Sequence, residues 1–297
     1  MKVVLFCGGL GTRLKEYSET IPKPMVDIGY RPIMWHLMRY YAHFGHKEFI
    51  LCLGYRGDVI KNYFLNYNEC LSNDFVMGNG GKTVKLYNND IEDWQISFID
   101  TGLNSNIGQR LVAVKEYLGD DDYFLANYTD GLADLDLNAY LQNFLLQGTV
   151  ASFLAVQPSQ SFHVVRMDGD GLVANIEPVA KADLWINGGF FAFHRSIFDY
   201  IHPGEELVIE PFQRLVQERQ LMAQRHLGFW ACMDTFKEKK LFDEMYASGN
   251  MPWALWEKDR QRAGNGIYTP QLEHSHNGKM AQEVIQTTQE VMSDATF

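Results

Sequence analysis

The chain has 297 residues, 46% of them hydrophobic, and a formal net charge of -11. That composition suits a folded chain with one large core or two small ones and argues against extended disorder. A surface this acidic repels a nucleic-acid backbone, so general nucleic-acid binding is not expected, and any small phosphate ligand has to be met by a few placed cations.

Lys2 to Cys7 reads as a buried strand running into glycines. Gly8-Gly9 ends this apolar run before a signal-peptide core could form. From Pro32 the apolar positions Ile33, Leu37, Tyr40, Tyr41 and Phe44 recur at helical spacing, and Gly45 supplies a stop. The pattern repeats with a strand from Glu48 to Leu53 and a helix whose face carries Val59, Ile60, Tyr63, Phe64 and Tyr67. Two successive strand-helix units predict a parallel sheet covered by helices.

Between Asn68 and Asp93 the chain turns polar, with Gly78-Asn79-Gly80-Gly81 at its middle, and reads as a flap or loop. A strand from Trp94 to Ile99, a helix from Arg110 to Leu118 and a strand from Tyr123 to Asn127 follow, the last ending at Tyr128-Thr129-Asp130-Gly131. After a helix from Leu137 to Leu146, strands are expected at Val150 to Val156 and Phe162 to Met167, with Asp168-Gly169 as a type I′ hairpin signal. Ile186 to Phe193 is read as one strand, and Val208 to Arg219 and Phe236 to Ala247 as helices. The predicted fold is therefore α/β, a Rossmann-like mixed but mostly parallel sheet flanked by helices, with small antiparallel elements beside it. Residues 1–258 form the expected main domain, its end including a helical segment at about 236–258, and 259–297 a polar tail with one weakly amphipathic stretch, Met280 to Met292.

The four cysteines, at 7, 52, 70 and 232, have no metal-ligand spacing and no C-x-x-C pair, so a disulfide framework is not expected. No apolar run approaches the roughly 20 residues of a membrane helix, and a cytoplasmic location is expected. His274 and His276 lack a third ligand in reach, and His36 lies on an aromatic helix face where packing is its expected role. Asp120-Asp121-Asp122 suits a solvated turn, while Trp253 and Trp256 are expected to anchor the C-terminal segment to the core or to another subunit.

The chemistry concentrates at Gly8-Gly9-Leu10-Gly11-Thr12-Arg13-Leu14. Leucine stands where a dinucleotide fingerprint needs its third glycine, and no lysine follows directly as in a Walker A loop. What remains is a backbone turn able to approach a ligand, Thr12 and Arg13 as donors, and Lys23 fixed between Pro22 and Pro24. These parts either grip a triphosphate or simply turn a strand into a helix.

That loop, followed by Pro22-Lys23-Pro24-Met25, resembles the signature of the sugar-phosphate nucleotidyltransferases. Within that family the chain is most similar to the glucose-1-phosphate cytidylyltransferases. The likeness continues in order through Gly54-Tyr55-Arg56-Gly57, Asp100-Thr101-Gly102, Asp130-Gly131-Leu132-Ala133-Asp134, Ile186-Asn187-Gly188-Gly189, Met233-Asp234-Thr235 and Pro252-Trp253-Ala254-Leu255-Trp256, and covers residues 1–258. The resemblance implies a nucleotide-diphospho-sugar transferase fold, Mg²⁺ as cofactor, CTP or another nucleoside triphosphate and a sugar 1-phosphate as substrates, and a homo-oligomer.

By the same resemblance, Gly8, Gly9, Gly11, Thr12 and Arg13 wrap the nucleotide phosphates and Lys23 neutralises the α-phosphate. Asp130 and Asp234 hold the metal, Arg110 lies near the nucleotide, and Asn187 and Gly188 meet the sugar. Each has a plainer alternative: a cap or turn aspartate at 130 and 234, a solvated helix-start arginine at 110, a β-bulge at 188. Two departures stand out. Thr129 replaces the family's glycine before the metal aspartate, and Glu177-Pro178-Val179-Ala180-Lys181 replaces Glu-Lys-Pro at the sugar-phosphate grip, leaving Glu177 and Lys181 as its candidates. The readings carried forward are a cytidylyltransferase, a uridylyl- or thymidylyltransferase on another sugar phosphate, and a silent nucleotide-binding relative with a regulatory or scaffold role.

Overall fold

In the computed structural model, which describes residues 1–9, 21–158 and 162–258, the first apolar run becomes β1 (Val3–Phe6), buried along its whole length. Alternation divides it: Val3 and Leu5 enter one core, Val4 and Phe6 the other. A strand buried on both faces is what a central parallel strand requires. The chain continues through a small antiparallel ribbon, β2 (Asp27–Ile28) and β3 (Arg31–Pro32), into α1 (Ile33–His43). Then come β4 (Glu48–Leu53), α2 (Gly57–Leu65), the hairpin β5 (Phe75–Gly78) and β6 (Thr83–Leu86), and β7 (Gln95–Asp100).

Next are α3 (Ile107–Ala113), β8 (Tyr123–Tyr128), β9 (Gly131–Ala133), α4 (Leu137–Gln147) and β10 (Ala151–Val156). The second half adds the hairpin β11 (His163–Met167) and β12 (Val173–Pro178), then β13 (Ile186–Asn187), β14 (Phe191–His194), α5 (Glu210–Gln217), β15 (Leu221–His226), β16 (Trp230–Cys232) and α6 (Phe236–Ala247). The described residues fall in one compact unit, Met1–Lys258; the predicted tail helix and His274 and His276 lie outside them. No helix among the described residues is long and apolar enough to cross a membrane.

The main sheet has eight strands. β1 pairs in parallel with both β4 and β8, and β4 with β7, while β14 runs antiparallel between β8 and β10. β15 pairs in parallel along all of β10. A strand has two edges, so β13 and β14, which take opposite ends of β10, must share the other one. The strand expected from Ile186 to Phe193 is therefore interrupted, with Gly189 at φ +76 and Phe190 at φ +50 in the break. One face of the sheet packs on α1 through Ile33, Leu37, Tyr40 and Tyr41. The other packs on α3 and α5 through Leu111, Phe212 and Leu215.

Two further expectations are corrected, and two strands were not anticipated. The polar excursion 68–93 contains a hairpin rather than only loop, pinned by the buried guanidinium of Arg31, which donates to Ser72 Oγ, Tyr63 OH and the carbonyl of Asn68. The turn after Met167 is not a two-residue type I′ turn: Asp168 N–H reaches Leu172 O, and Gly171, not Gly169, takes positive φ. β15, a half-exposed edge strand, and β16, three residues long, escape pattern reading altogether. His36 is packed as expected, bonded to the Ile28 carbonyl, and burial lowers its pKa to about 4. All four cysteines are free. Trp253 is fully buried against Phe229, Phe242 and His36, so it anchors the end of this unit to its own core.

Candidate active site

The chain leaves β1 toward β4 and β7, then returns to place β8 on the other side of β1. Ligands of open α/β sheets bind at such a reversal, at the carboxyl ends of the strands. There a cleft of about 760 Å³ opens, lined among others by Gly8, Gly9, Lys23, Arg110, Asp130, Asn187, Gly188 and Asp234. Gly11, Thr12 and Arg13, predicted to grip phosphates, lie outside the described residues.

Asp130 stands two residues beyond the end of β8 and directly before β9, and Asp234 stands two residues beyond the end of β16. The ribbon of β9 with β16 pairs Gly131 with Cys232, and Met233 N–H donates to Asp130 O at 2.7 Å, so the two aspartates flank the same end of one short ladder. Asp234 does not cap α6. That position belongs to Thr235, and the Glu238 carboxylate accepts from the N–H groups of both Asp234 and Thr235 at 2.7 and 2.8 Å. The Asp234 backbone is thereby held while its side chain turns into the cleft.

Both carboxylates meet one cation. Lys23 Nζ donates to Asp130 Oδ2 and, at 2.5 Å, to Asp234 Oδ1. Lys23 opens a single 3-10 turn, Lys23–Met25, with Pro22 before it and Pro24 inside it, so the backbone is stiff while the side chain stays articulated. Burial alone would lower the lysine's pKa, but the Asp130 and Asp234 charges outweigh it and hold the ammonium above its ordinary range. Cys232, which also lines the cleft, is pushed up to about 12 by burial and then by Asp234 and Asp130, so its thiol stays neutral and is a poor nucleophile.

The donor set fits a small hard cation. Among the described residues there is no cluster of three or more His, Cys, Asp or Glu side chains able to hold a metal. Two convergent carboxylates at a cleft, with the remaining positions left to water and phosphate oxygens, is the arrangement Mg²⁺ adopts with phosphate substrates.

Arg110 lines the cleft but is 3% exposed, which excludes the solvated alternative. Its Nη1 donates to Leu53 O at 3.0 Å and Thr101 Oγ1 at 2.7 Å, and its Nη2 to Gly8 O at 3.1 Å and Leu103 O at 3.4 Å. The guanidinium thus ties together the loops leaving β1, β4 and β7. It fits only because Gly8 and Gly54 lack side chains: a Cβ on Gly8 would lie 2.1 Å from Nη1, and one on Gly54 2.9 Å from it. Space for Arg110 is a reason for glycine at position 8 that the sequence did not disclose.

On the other wall, Asn187 Oδ1 accepts from Gly189 N–H at 2.9 Å, and Gly188 sits in the break between β13 and β14. The Gly188 N–H donates to Leu154 O at 2.8 Å and its carbonyl accepts from Trp230 Nε1 at 2.9 Å, and a Cβ here would crowd Val156 Cγ1 at 3.0 Å and Trp230 Nε1 at 3.2 Å. The break between the two strands forms part of the cleft wall. Thr129, in place of the family's glycine, has no positive φ and donates to Phe6 O at 3.1 Å, tying the end of β8 to the end of β1. Glu177 and Lys181 are not brought to this cleft: Glu177 accepts from Asn175 Nδ2 on the hairpin, and Lys181 is exposed. Glu206 and Tyr128, which sequence reading passed over, do line it. Glu206 had no pattern to betray it, since it belongs to the segment that docks on the start of α3, where it accepts from Ile107 N–H at 3.4 Å.

The nucleotidyl transferase family model matches residues 2–247. Glucose-1-phosphate cytidylyltransferases of Salmonella typhi and Salmonella typhimurium are each 40% identical over 259 residues, 86% of this chain and 100% of theirs. A solved structure of UDP-glucose pyrophosphorylase complexed with UDP-glucose superposes with a TM-score of 0.62 at 14% identity, covering 84% of this chain and 98% of that one, a likeness of fold. The fold and the family agree: the chain belongs to the nucleotidyl transferases.

Proposed function

We propose that this chain transfers the cytidylyl group of CTP to glucose 1-phosphate, giving CDP-glucose and pyrophosphate. The observation that carries the reading is the convergence of Asp130, Asp234 and Lys23 at the carboxyl edge of the sheet, beside Gly8 and Gly9. The choice of CTP and glucose 1-phosphate is supported by the cytidylyltransferases that align over 86% of the chain.

In this reading an oxygen of the sugar phosphate attacks the α-phosphorus, a P–O bond forms, and the bond to the β-phosphate oxygen breaks with pyrophosphate taking the electron pair. No protein nucleophile is required, so the residues act by holding two anions in line and by neutralising charge. Asp130 and Asp234 are the residues that would hold Mg²⁺, which shields the phosphate charge when bound. Lys23 meets the α-phosphate, Arg110 keeps the Gly8 loop at its distance, and Asn187 presents its amide to the sugar side. Gly11, Thr12 and Arg13 belong to the phosphate grip by resemblance.

Pyrophosphate release is the test. Incubation with Mg²⁺, each of the four ribonucleoside triphosphates or dTTP, and a panel of sugar 1-phosphates is expected to give release with CTP and glucose 1-phosphate. Release with UTP or dTTP alone would reject the cytidylyl assignment, and no release with any pair would reject the enzyme. Because Lys181 stands exposed and away from the cleft, Lys181→Ala is expected to change KM for glucose 1-phosphate by less than about twofold, the scale of a solvated surface charge. A tenfold rise in KM would return Lys181 to the sugar-phosphate grip.

A further inference from the structure

We propose that Lys23 is a tethered counter-cation that occupies the metal site of the free protein, so that the divalent ion binds well only once a nucleotide has drawn the lysine away. The inference rests on the reading of Asp130 and Asp234 as metal ligands. Its geometric basis is that one ammonium contacts a carboxylate oxygen of each of the two aspartates that would hold the metal.

Three features support it. The three side chains are partly buried, with Lys23 14%, Asp130 27% and Asp234 29% exposed, so without a cation between them the two carboxylates would repel each other at incompletely screened range. The Lys23 backbone is constrained by Pro22 and Pro24, and its four-carbon stem gives the head group a short arc rather than free range. An ammonium displaced from this pair needs another anion. Among the described residues, the remaining carboxylate lining the cleft, Glu206, already accepts from Ile107 and Leu207 N–H groups, and a nucleotide phosphate would supply the charge.

Metal and nucleotide then become coupled through one side chain, and the coupling is reciprocal. Free protein binds the metal weakly because the ammonium must first be expelled into the cleft. With a phosphate present, the lysine has a new partner and the carboxylates are open. The nucleotide and the metal therefore bind as a pair, and a metal ion alone does not lock the cleft in advance of substrate.

The test is Mn²⁺ binding, followed by paramagnetic resonance and calorimetry, to wild type, Lys23→Met and Lys23→Gln, each checked for melting temperature. In the absence of nucleotide both variants are expected to bind Mn²⁺ about tenfold more tightly than wild type, the order set by losing one charge-assisted competitor. The gain in CTP affinity on adding Mn²⁺ should shrink by the same factor. Folded Lys23 variants with unchanged or weaker Mn²⁺ affinity would overturn the inference, and if Asp130→Asn still abolishes binding, the metal-site reading survives. Absence of Mn²⁺ binding in every protein, with and without CTP, would remove both. Since Met and Gln differ in size and polarity, agreement between them separates loss of charge from a packing defect.

Discussion

Asp130→Asn is expected to lower kcat for pyrophosphate release by at least a hundredfold while leaving the fold intact. Asparagine keeps the size of the side chain and removes its charge. The side chain is 27% exposed and borders a cleft, so it packs against little that folding depends on. The stability change should stay within about 1 kcal/mol, as for other partly exposed ion pairs, because Lys23 keeps its second partner, Asp234. The rate is another matter. In the proposed reading, losing one of the two carboxylates that would hold Mg²⁺ weakens the cation that stabilises the phosphate charge, and losing one fixed stabiliser of transition-state charge costs two to three orders of magnitude, roughly 2.7–4 kcal/mol. Asp234→Asn should behave alike, and the double variant should be little worse than either single one, since in the proposed reading both would hold one ion and act as a unit. Steady-state kinetics with a melting curve decide it. A variant keeping more than about a tenth of wild-type kcat would take Asp130 out of the metal site.

The aspartates were legible because each stands in a short motif that keeps its order along the chain. Their convergence was not. It depends on a ribbon whose strands, Gly131–Ala133 and Trp230–Cys232, are three residues each, too short for any periodicity to announce. The central strands were easy for the opposite reason: Val3–Phe6 and Glu48–Leu53 are continuous apolar runs buried on both faces, and their chemistry leaves few alternatives. Between these extremes lie positions where residue type was informative but the partner was hidden. Gly8 was read as a ligand contact, and the structure adds a buried guanidinium against it. Gly188-Gly189 suggests a bulge or a sugar contact, and the structure has there a break between β13 and β14 that brings Asn187 and Gly188 to the cleft wall. Lys181 could be named only by proximity in sequence to a missing lysine, and proximity in sequence did not bring it to the cleft.

Gly8→Ala is expected to destabilise the protein by about 2–4 kcal/mol and to lower turnover with it, through Arg110 rather than through the substrate. The new methyl would sit 2.1 Å from Nη1 and 2.2 Å from Cζ of the guanidinium, far inside contact distance, so the guanidinium has to shift. Arg110 must then leave at least part of its set of partners, Leu53 O, Thr101 Oγ1, Gly8 O and Leu103 O. Buried carbonyls stripped of a charged donor carry a large desolvation cost, and the loops after β1 and β7 lose the tie that sets the width of the cleft between them. Arg110→Met removes the same tie and should show a comparable fall in melting temperature. The two changes are not independent: once methionine stands at 110 the clash at position 8 is relieved, so the double variant should be more stable than the sum of the single losses predicts, by 1 kcal/mol or more on the scale of contacting pairs. A glycine needed only for close approach of the nucleotide gives the opposite pattern, with Gly8→Ala raising KM for CTP at an unchanged melting temperature and adding to Arg110→Met without coupling.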